Sequence, residues 1–400
     1  MAKPKKPKAE ESPVDETLDG PPEAPVLTLP EPGPAKILSS KDRIAGVLAS
    51  AGMKSLAKDG TTVVTADRVG AVPRVRTGLV RYDLMMRGGK PVGVVEHWFG
   101  PKASGKTSLL LYIIGVMQKT CSHCHKPFSD GSKAAPCCGE PRVTLCALLN
   151  MEGVLDMDWA RRLGVDTDSL LYNFFRSGEQ CADTYDALLS TGEVDFIGID
   201  SLAALVPESE LGKAAGEVDV GSQARLVHRI VRKTVSHLND LGARTRRRPT
   251  VVLTNQIRMK VGVVFGNPET TAAGNGPGYV AAVELRFGAP EYAKDKDGNP
   301  LAVTYKPKVE KSKLFPGKGE EAEVTLAQRP TEYAGLGDVL DAPALITLGV
   351  QAGLVEGTAP NITCLGRSFR GKSVLEVELQ KDRGYAHQLR EAILGVMLQA

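Results

Sequence analysis

The chain has 400 residues, of which 42% are hydrophobic and 24% charged, enough apolar side chain for one large core and a smaller satellite unit. No apolar stretch reaches the roughly 18 residues that a membrane span requires, and the start, Met1-Ala-Lys-Pro-Lys-Lys, lacks the apolar region of a secretory signal. A cytoplasmic protein without a membrane partner is expected. The formal net charge of +3 excludes a strongly basic chain, and seven cysteines point to thiols and a metal rather than a disulfide framework.

Residues 1–38 alternate Pro, Lys, Glu and small side chains, which bury too little apolar surface to offset the entropy of ordering, so a disordered tail is predicted. Ser40 can cap a helix with Ile44, Val47 and Leu48 on one face, and Thr61 to Thr65 reads as a short strand. Together they make an arm over 39–75 that must dock on the main body or on a neighbouring subunit, an oligomerisation arm. From 76 to 330, buried apolar runs alternate with helical patterns, which predicts an α/β core with a mostly parallel central sheet flanked by helices. Strands are expected at 93–99, 143–149, 170–174, 195–199, 250–254, 279–286, 302–311 and 321–327. Helices are expected at 106–119, 157–163, 180–190 and 221–241. Residues 331–400, with helices near 337–352 and 384–398 around short strands, predict a small C-terminal α+β domain.

The segment Gly100-Pro101-Lys102-Ala103-Ser104-Gly105-Lys106-Thr107 lies between the apolar run Val94 to Phe99 and a helical run that opens at Ser108. That strand-loop-helix setting is the context a phosphate-binding loop needs. Its glycines turn backbone N–H groups inward, the helix dipole favours an anion, Lys106 reaches β and γ oxygens, and Thr107 can hold Mg²⁺. A nucleoside triphosphate is the expected ligand. Val194 to Ser201 is a buried strand ending in Asp200, suited to orienting Mg²⁺ and its waters. In a parallel sheet the C-terminal strand ends gather on one edge, which brings Glu152 and Gln256 to the γ-phosphate. Glu152 can polarise the attacking water, and Gln256 can bond the phosphate without adding negative charge.

Cys121-Ser-His-Cys124 and the pair Cys137-Cys138 sit in a polar stretch, 121–142, with the spacing of a zinc knuckle. Four thiolates, or three plus His123 or His125, would close a tetrahedral site. Cys146, Cys181 and Cys364 fall in core segments and are expected to be inert. Lys306 and Lys308 share one face of a predicted strand, with Lys311 and Lys313 on the other if no bulge intervenes. Arg244, Arg246, Arg247 and Arg248 form a basic turn that either grips a polyanion or solubilises the surface.

Gly100 to Thr107, Met151 to Asp156, Ala160 to Val165, Val194 to Ser201 and above all Asn255 to Thr271 resemble the bacterial RecA recombinases. The resemblance runs from about Lys41 to Leu398, interrupted by the cysteine insertion, and divergence outside these segments suits a distant or phage-encoded member. It implies a DNA-dependent ATPase that forms helical filaments on single-stranded DNA and carries out homologous pairing and strand exchange in repair, using ATP and Mg²⁺. It implies that Ser108 belongs with the phosphate loop, that Trp159 stacks on adenine and that Asp156 accepts from its amine. It implies a DNA-lining loop from Ile257 to Gly274, with Arg258, Lys260, Val261 and Gly262 meeting DNA. A second DNA-facing loop, Glu210 to Val220, precedes a helix whose Arg225 and Arg232, seven apart, share a face. Lys311 and Lys313 would reach across a subunit boundary to the neighbour's γ-phosphate, and Lys306 and Lys308 would serve incoming duplex DNA. Three departures are expected to matter: Val220 where a long side chain is usual, Ala272-Ala273-Gly274-Asn275 where two glycines before the asparagine are usual, and the lack of the family's acidic C-terminal tail after Ala400.

Two other readings share the core. A hexameric helicase would form closed rings and unwind DNA; a regulatory filament scaffold would bind ATP without significant turnover. DNA-stimulated hydrolysis together with the shape of the assembly separates all three.

Overall fold

Along the strand that begins at Thr250, Val251 and Leu253 pack into one hydrophobic cluster and Val252 into another, and all three are fully buried. Cys146 and Leu148 divide from Ala147 and Leu149 in the same way. A strand with both faces apolar must be covered on both sides, and this property of the sequence produces the layered architecture. The computed structural model describes residues 71–128, 137–138, 140–153, 155–212, 221–245, 248–259, 269–272 and 274–399, which all fall within one unit. The tail, the arm up to residue 70, Lys260, Val261, Gly262, residues 213–220, Arg246 and Arg247 lie outside the described residues.

The main sheet comprises β1 (Val95–Gly100), β2 (Cys146–Asn150), β3 (Leu170–Phe174), β4 (Phe196–Asp200), β5 (Thr250–Met259), β6 (Glu269–Thr271), β7 (Val283–Phe287) and β8 (Pro307–Ser312). Its order is β8-β7-β1-β5-β4-β2-β3. The strands from β7 to β3 are parallel, β8 lies antiparallel on the outside of β7, and β6 pairs antiparallel with the far end of β5. Helix α1 (Val80–Met85) precedes the sheet. Helices α2 (Lys106–Gln118) and α3 (Met157–Arg162) cover one face, packing Leu110, Ile113 and Ala160 with Trp98, Phe196 and Leu285. Helices α4 (Gly178–Thr191) and α5 (Ser222–Thr245) cover the other, with Cys181, Tyr185, Val227 and Ile230 against Ile197, Ile199 and Leu253. Helix α4 starts where Ser177 accepts from the backbone N–H of Gln180, an N-cap of the kind that stabilises a helix by about 1 kcal/mol.

A short α6 (Gly276–Val280) precedes β7. Beyond β8, α7 (Ala342–Gln351), α8 (Lys372–Lys381) and α9 (Arg383–Met397) pack with a three-stranded sheet over 355–369 around Leu345, Ile346, Leu375, Leu389 and Ile393. Val80 of α1 joins that cluster. No described helix is long and apolar enough to cross a membrane.

Several expected elements differ. The strand expected at 302–311 is two strands in different sheets, Pro300–Tyr305 and β8, because Pro307 has no N–H with which to continue a ladder. The strand expected at 279–286 starts only at Val283, its first residues belonging to α6. Helices α1 and α8 were not legible from periodicity: α1 has six residues, and α8 follows Gly371 with only Leu375 and Leu379 buried along its length.

Candidate functional site

The loop between β1 and α2 is shaped by two glycines. A Cβ on Gly100 would lie 2.6 Å from the Phe287 carbonyl oxygen of the adjacent β7. Gly105 has φ +89° and sits under the Tyr305 ring, where a Cβ would come within 2.2 Å of Cδ1. The second position therefore needs glycine for both conformation and space. Within the loop the Ser104 hydroxyl donates to the Pro101 carbonyl at 2.9 Å. Lys106 Nζ donates to the carbonyls of Pro101 and Gly100 at 2.7 and 3.3 Å and lies 3.2 Å from Ser104 Oγ. Burial lowers the Lys106 pKa, and the nearby carboxylates of Asp200 and Glu152 oppose that shift. Lys102 and Ala103 are exposed at the tip, and Ser108, in the first turn of α2, hydrogen-bonds Tyr305.

Asp200, the last residue of β4, is 4% exposed. It accepts from Thr107 Oγ1 at 2.7 Å and from the hydroxyl of Thr254. Burial raises its pKa, Thr254 and Thr107 draw it down, the charge of Glu152 raises it and that of Lys106 lowers it. A carboxylate and a hydroxyl meeting at the N-terminus of α2 form the hard oxygen pair that suits Mg²⁺.

Glu152 is exposed just past β2, where its backbone N–H donates to Asn150 Oδ1 at 2.9 Å. Its Oε1 accepts from Ser201 Oγ at 2.6 Å and from Gln256 Nε2 at 3.0 Å. The structure thus brings Glu152 and Gln256 together beside Lys106 and Asp200. Sequence reasoning assigned no role to Ser201, Thr254 or Tyr305; Ser201 directly follows Asp200, Thr254 stands two residues before Gln256, and only the fold reveals Tyr305.

Gln256 is half-buried, while Ile257, Arg258 and Met259 continue β5 into a ribbon with β6, pairing with Thr271, Thr270 and Glu269. The stem of the expected DNA loop is therefore strand, which corrects the reading of 257–274 as loop throughout. Arg258 and Met259 are exposed on that stem. Arg225 and Arg232 are exposed on α5, where Arg229, between them in sequence, pairs with Asp183 of α4.

The four lysines are not divided between two faces. A bulge shifts the register between Val309 and Lys311, so that Lys308 stands opposite Arg286 and Lys311 opposite Glu284. One extra residue reverses strand parity, and Lys308 and Lys311 border the same cavity of about 650 Å³ with His97, Glu284, Arg286 and Tyr279. Lys306 lies between strands and pairs with Glu291. Lys311 donates to the Gly278 carbonyl, and Lys313 to that of Tyr279 at 2.8 Å, both at the end of α6. Tyr279, 75% exposed, projects from the same corner.

Asp156 N-caps α3, its Oδ1 accepting from the N–H groups of Asp158 and Trp159 at 2.8 and 3.3 Å. The half-buried Trp159 packs against the core and closely faces Gly337.

Between α2 and β2 the sulfurs of Cys121, Cys124, Cys137 and Cys138 all lie within 4.8 Å of one another. Cys124 and Cys137 are 3.4 Å apart, Cys121 and Cys138 3.8 Å, and Cys137 and Cys138 3.9 Å. Tetrahedral zinc with Zn–S bonds of about 2.3 Å requires sulfur separations of about 3.8 Å. The ring of His123 stands outside this tetrahedron, with Nδ1 3.0 Å from the Glu140 carbonyl and 3.6 Å from the Cys138 sulfur. Desolvation raises the Cys121 pKa, but backbone N–H groups, first that of Arg142, outweigh it and bring the thiol to about 6. Desolvation and the neighbouring thiols push Cys137 up to about 12. Thiolates this close repel one another unless a cation joins them. Cys146, Cys181 and Cys364 are buried singly, and burial raises each pKa.

A parallel sheet with a phosphate loop after one strand and a buried carboxylate ending another defines a P-loop ATPase. The profile of the RecA N-terminal domain matches residues 137–328. Protein RecA of Cereibacter sphaeroides is 34% identical over 282 residues, covering 70% of this chain and 71% of its own length. Protein RecA of Acidiphilium cryptum is 34% identical over 299 residues, with 74% and 75% covered, and that of Bdellovibrio bacteriovorus 33% over 330, with 81% and 77%. The chain belongs to the RecA family, and it is an ATP-hydrolysing, DNA-dependent recombinase that forms filaments on single-stranded DNA.

Proposed function

We propose that this recombinase couples ATP to DNA through Gln256. One observation carries the reading: the Gln256 amide bonds Glu152 within the nucleotide site, while its own strand runs directly into the β5–β6 stem of the DNA loop. A γ-phosphate oxygen accepting from Nε2 replaces the bond to Glu152. That frees the Glu152 carboxylate to orient water and pulls on the stem, so ATP and DNA affinities rise together and reciprocally.

In this reading residues 100–108 cradle the triphosphate, Lys106 exchanges its loop carbonyls for β and γ oxygens, and Thr107 and Asp200 hold Mg²⁺. Trp159 offers a face to adenine, with Asp156 beside it. Arg258, Lys260, Val261, Gly262, Arg225 and Arg232 line single-stranded DNA. Lys311 and Lys313 leave the α6 carbonyls for the neighbouring subunit's γ-phosphate and neutralise charge in the transition state. Lys308 and Lys306 meet incoming duplex DNA, the arm over 39–75 joins subunits, residues 331–400 act as a C-terminal domain, and the protein works in the cytoplasm.

The Cys121, Cys124, Cys137 and Cys138 tetrahedron holds a structural zinc, with no open position for chemistry. The match between observed and required sulfur separations supports it, and the place of His123 favours four thiolates over three plus histidine.

Hydrolysis measured with and without single-stranded DNA, beside electron microscopy of the same sample, tests the whole. Helical filaments with DNA-stimulated turnover are expected. Closed rings with unwinding, or filaments without turnover, would overturn it.

A further inference from the structure

His97 is 1% exposed on β1, behind the nucleotide site, and the reading above gives it no part. Its ring joins two polar groups on strands either side of its own. Asn255 Nδ2, on β5, lies 3.4 Å from Nε2, and Glu284 Oε1, on β7, lies 3.0 Å from Nδ1.

The polarity of this chain is determined by its ends. Asn255 Oδ1 accepts from the Gln256 N–H at 2.9 Å, and Asn255 Nδ2 donates to the Ala272 carbonyl at 3.1 Å, so the amide cannot be flipped. The nitrogen facing His97 is therefore a donor, and Nε2 accepts from it. The carboxylate of Glu284 can only accept, so Nδ1 carries the proton and donates to it. Glu284 in turn stands opposite Lys311 across the β7–β8 pair and lies against Gly278, whose carbonyl Lys311 holds. Burial works against the ionised Glu284, but the His97 hydrogen bond and the charges of Lys311 and Lys313 draw its pKa down.

We propose that His97 is a positioning residue that links the Gln256 sensor and the returning limb of the DNA loop to the lysine edge at Lys311 and Lys313. The inference rests on the across-boundary role of those lysines. A displacement of Gln256 by the γ-phosphate moves Asn255, whose side chain grips both Gln256 and Ala272. The directional bonds through His97 carry that movement to Glu284, which sets where Lys311 stands. Each subunit thereby matches its lysines to its own nucleotide and DNA state, and the neighbour's hydrolysis follows.

Three variants separate a relay from a polar filler. His97→Gln keeps the contact toward Asn255, His97→Asn keeps that toward Glu284, and His97→Phe keeps the ring volume with neither. Turnover at saturating ATP and single-stranded DNA is expected to fall about tenfold in all three, with the KM for ATP and nucleotide binding by dilute protein within about twofold of the parent. Combining any of them with Lys311→Ala should add nothing further. Parent-like turnover in His97→Gln or His97→Asn, or multiplicative losses with Lys311→Ala, overturns the relay. If His97→Phe fails to fold, the two amide variants decide alone by the same outcomes. Should Lys311→Ala itself turn over normally, the across-boundary reading fails first, and the relay with it; a slow Lys311→Ala beside normal His97 variants removes the relay only.

Discussion

Lys106 and Asp200 show how much of the chemistry is local. Both are buried, with their pKa values pushed toward the neutral forms and drawn back by each other's charge. Lys106→Ala is expected to abolish ATP-dependent assembly while leaving the fold intact, as sedimentation with and without nucleotide would report. Lys311→Ala should slow hydrolysis in the filament and spare nucleotide binding by the isolated subunit; weakened binding there contradicts its across-boundary role. Asp83 gives a pH prediction. It accepts from the N–H and hydroxyl of Thr77, whose carbonyl receives Tyr112 of α2, and burial raises its pKa to about 6. Between the ordinary carboxylate value and about 6 the folded chain binds the proton more tightly than the unfolded chain. Its contribution to stability therefore falls as pH rises through that window, by about 3 kcal/mol in all. Asp83→Asn should flatten the slope of thermal midpoint between pH 4 and 6, and an unchanged slope counts against it. That the phosphate loop, Asp200, Glu152 and Gln256 would meet at one edge of the sheet was legible because short spacings and strand ends specify it. Tyr305 and His97 were not, since each acts across more than 150 residues of sequence or between strands whose neighbours only the sheet order decides.

At the scale of elements, strands with two apolar faces were readable in place and the punctuation between them less so. The β8 bulge is the clearest case: nothing in Lys-Val-Glu-Lys announces an unpaired residue, yet it sets Lys308 and Lys311 on one cavity. The β5–β6 stem was missed because a strong loop signal beyond it concealed three residues of pairing. The cysteine cluster was recognisable from spacing alone, whereas the proposal of four thiolates over three plus a histidine rests on the place of His123. Its chain is stitched to the core by the Arg142 side chain donating to the Glu193 carbonyl at 2.7 Å, and by the Thr144 hydroxyl donating to the Thr120 carbonyl at 2.7 Å. Metal analysis of the parent protein should give one zinc per chain, falling below detection in Cys121→Ser, with nucleotide binding retained. Absence of metal from the parent ends the zinc assignment. Gly105→Ala should lose nucleotide binding outright, because the new methyl group meets the Tyr305 ring and the residue is held at positive φ. Retained binding would mean that the loop and Tyr305 can separate at little cost.

Across the whole molecule, Gln256, which pairs with Gly100 at the phosphate loop, and Ile257, which opens the β5–β6 stem, are consecutive residues of β5. On the proposed reading, mechanical coupling follows from that topology, and a filament is the assembly in which a subunit's lysines would meet its neighbour's phosphate. The decisive measurement is the affinity for single-stranded DNA in ATP and in ADP, at one salt concentration, for the parent and for Gln256→Ala. Tighter binding in ATP by the parent, about fivefold or more, and equal binding in both nucleotides by the variant is the expected result. Equal affinity in the parent, or an undiminished ATP preference without the Gln256 amide, contradicts the account.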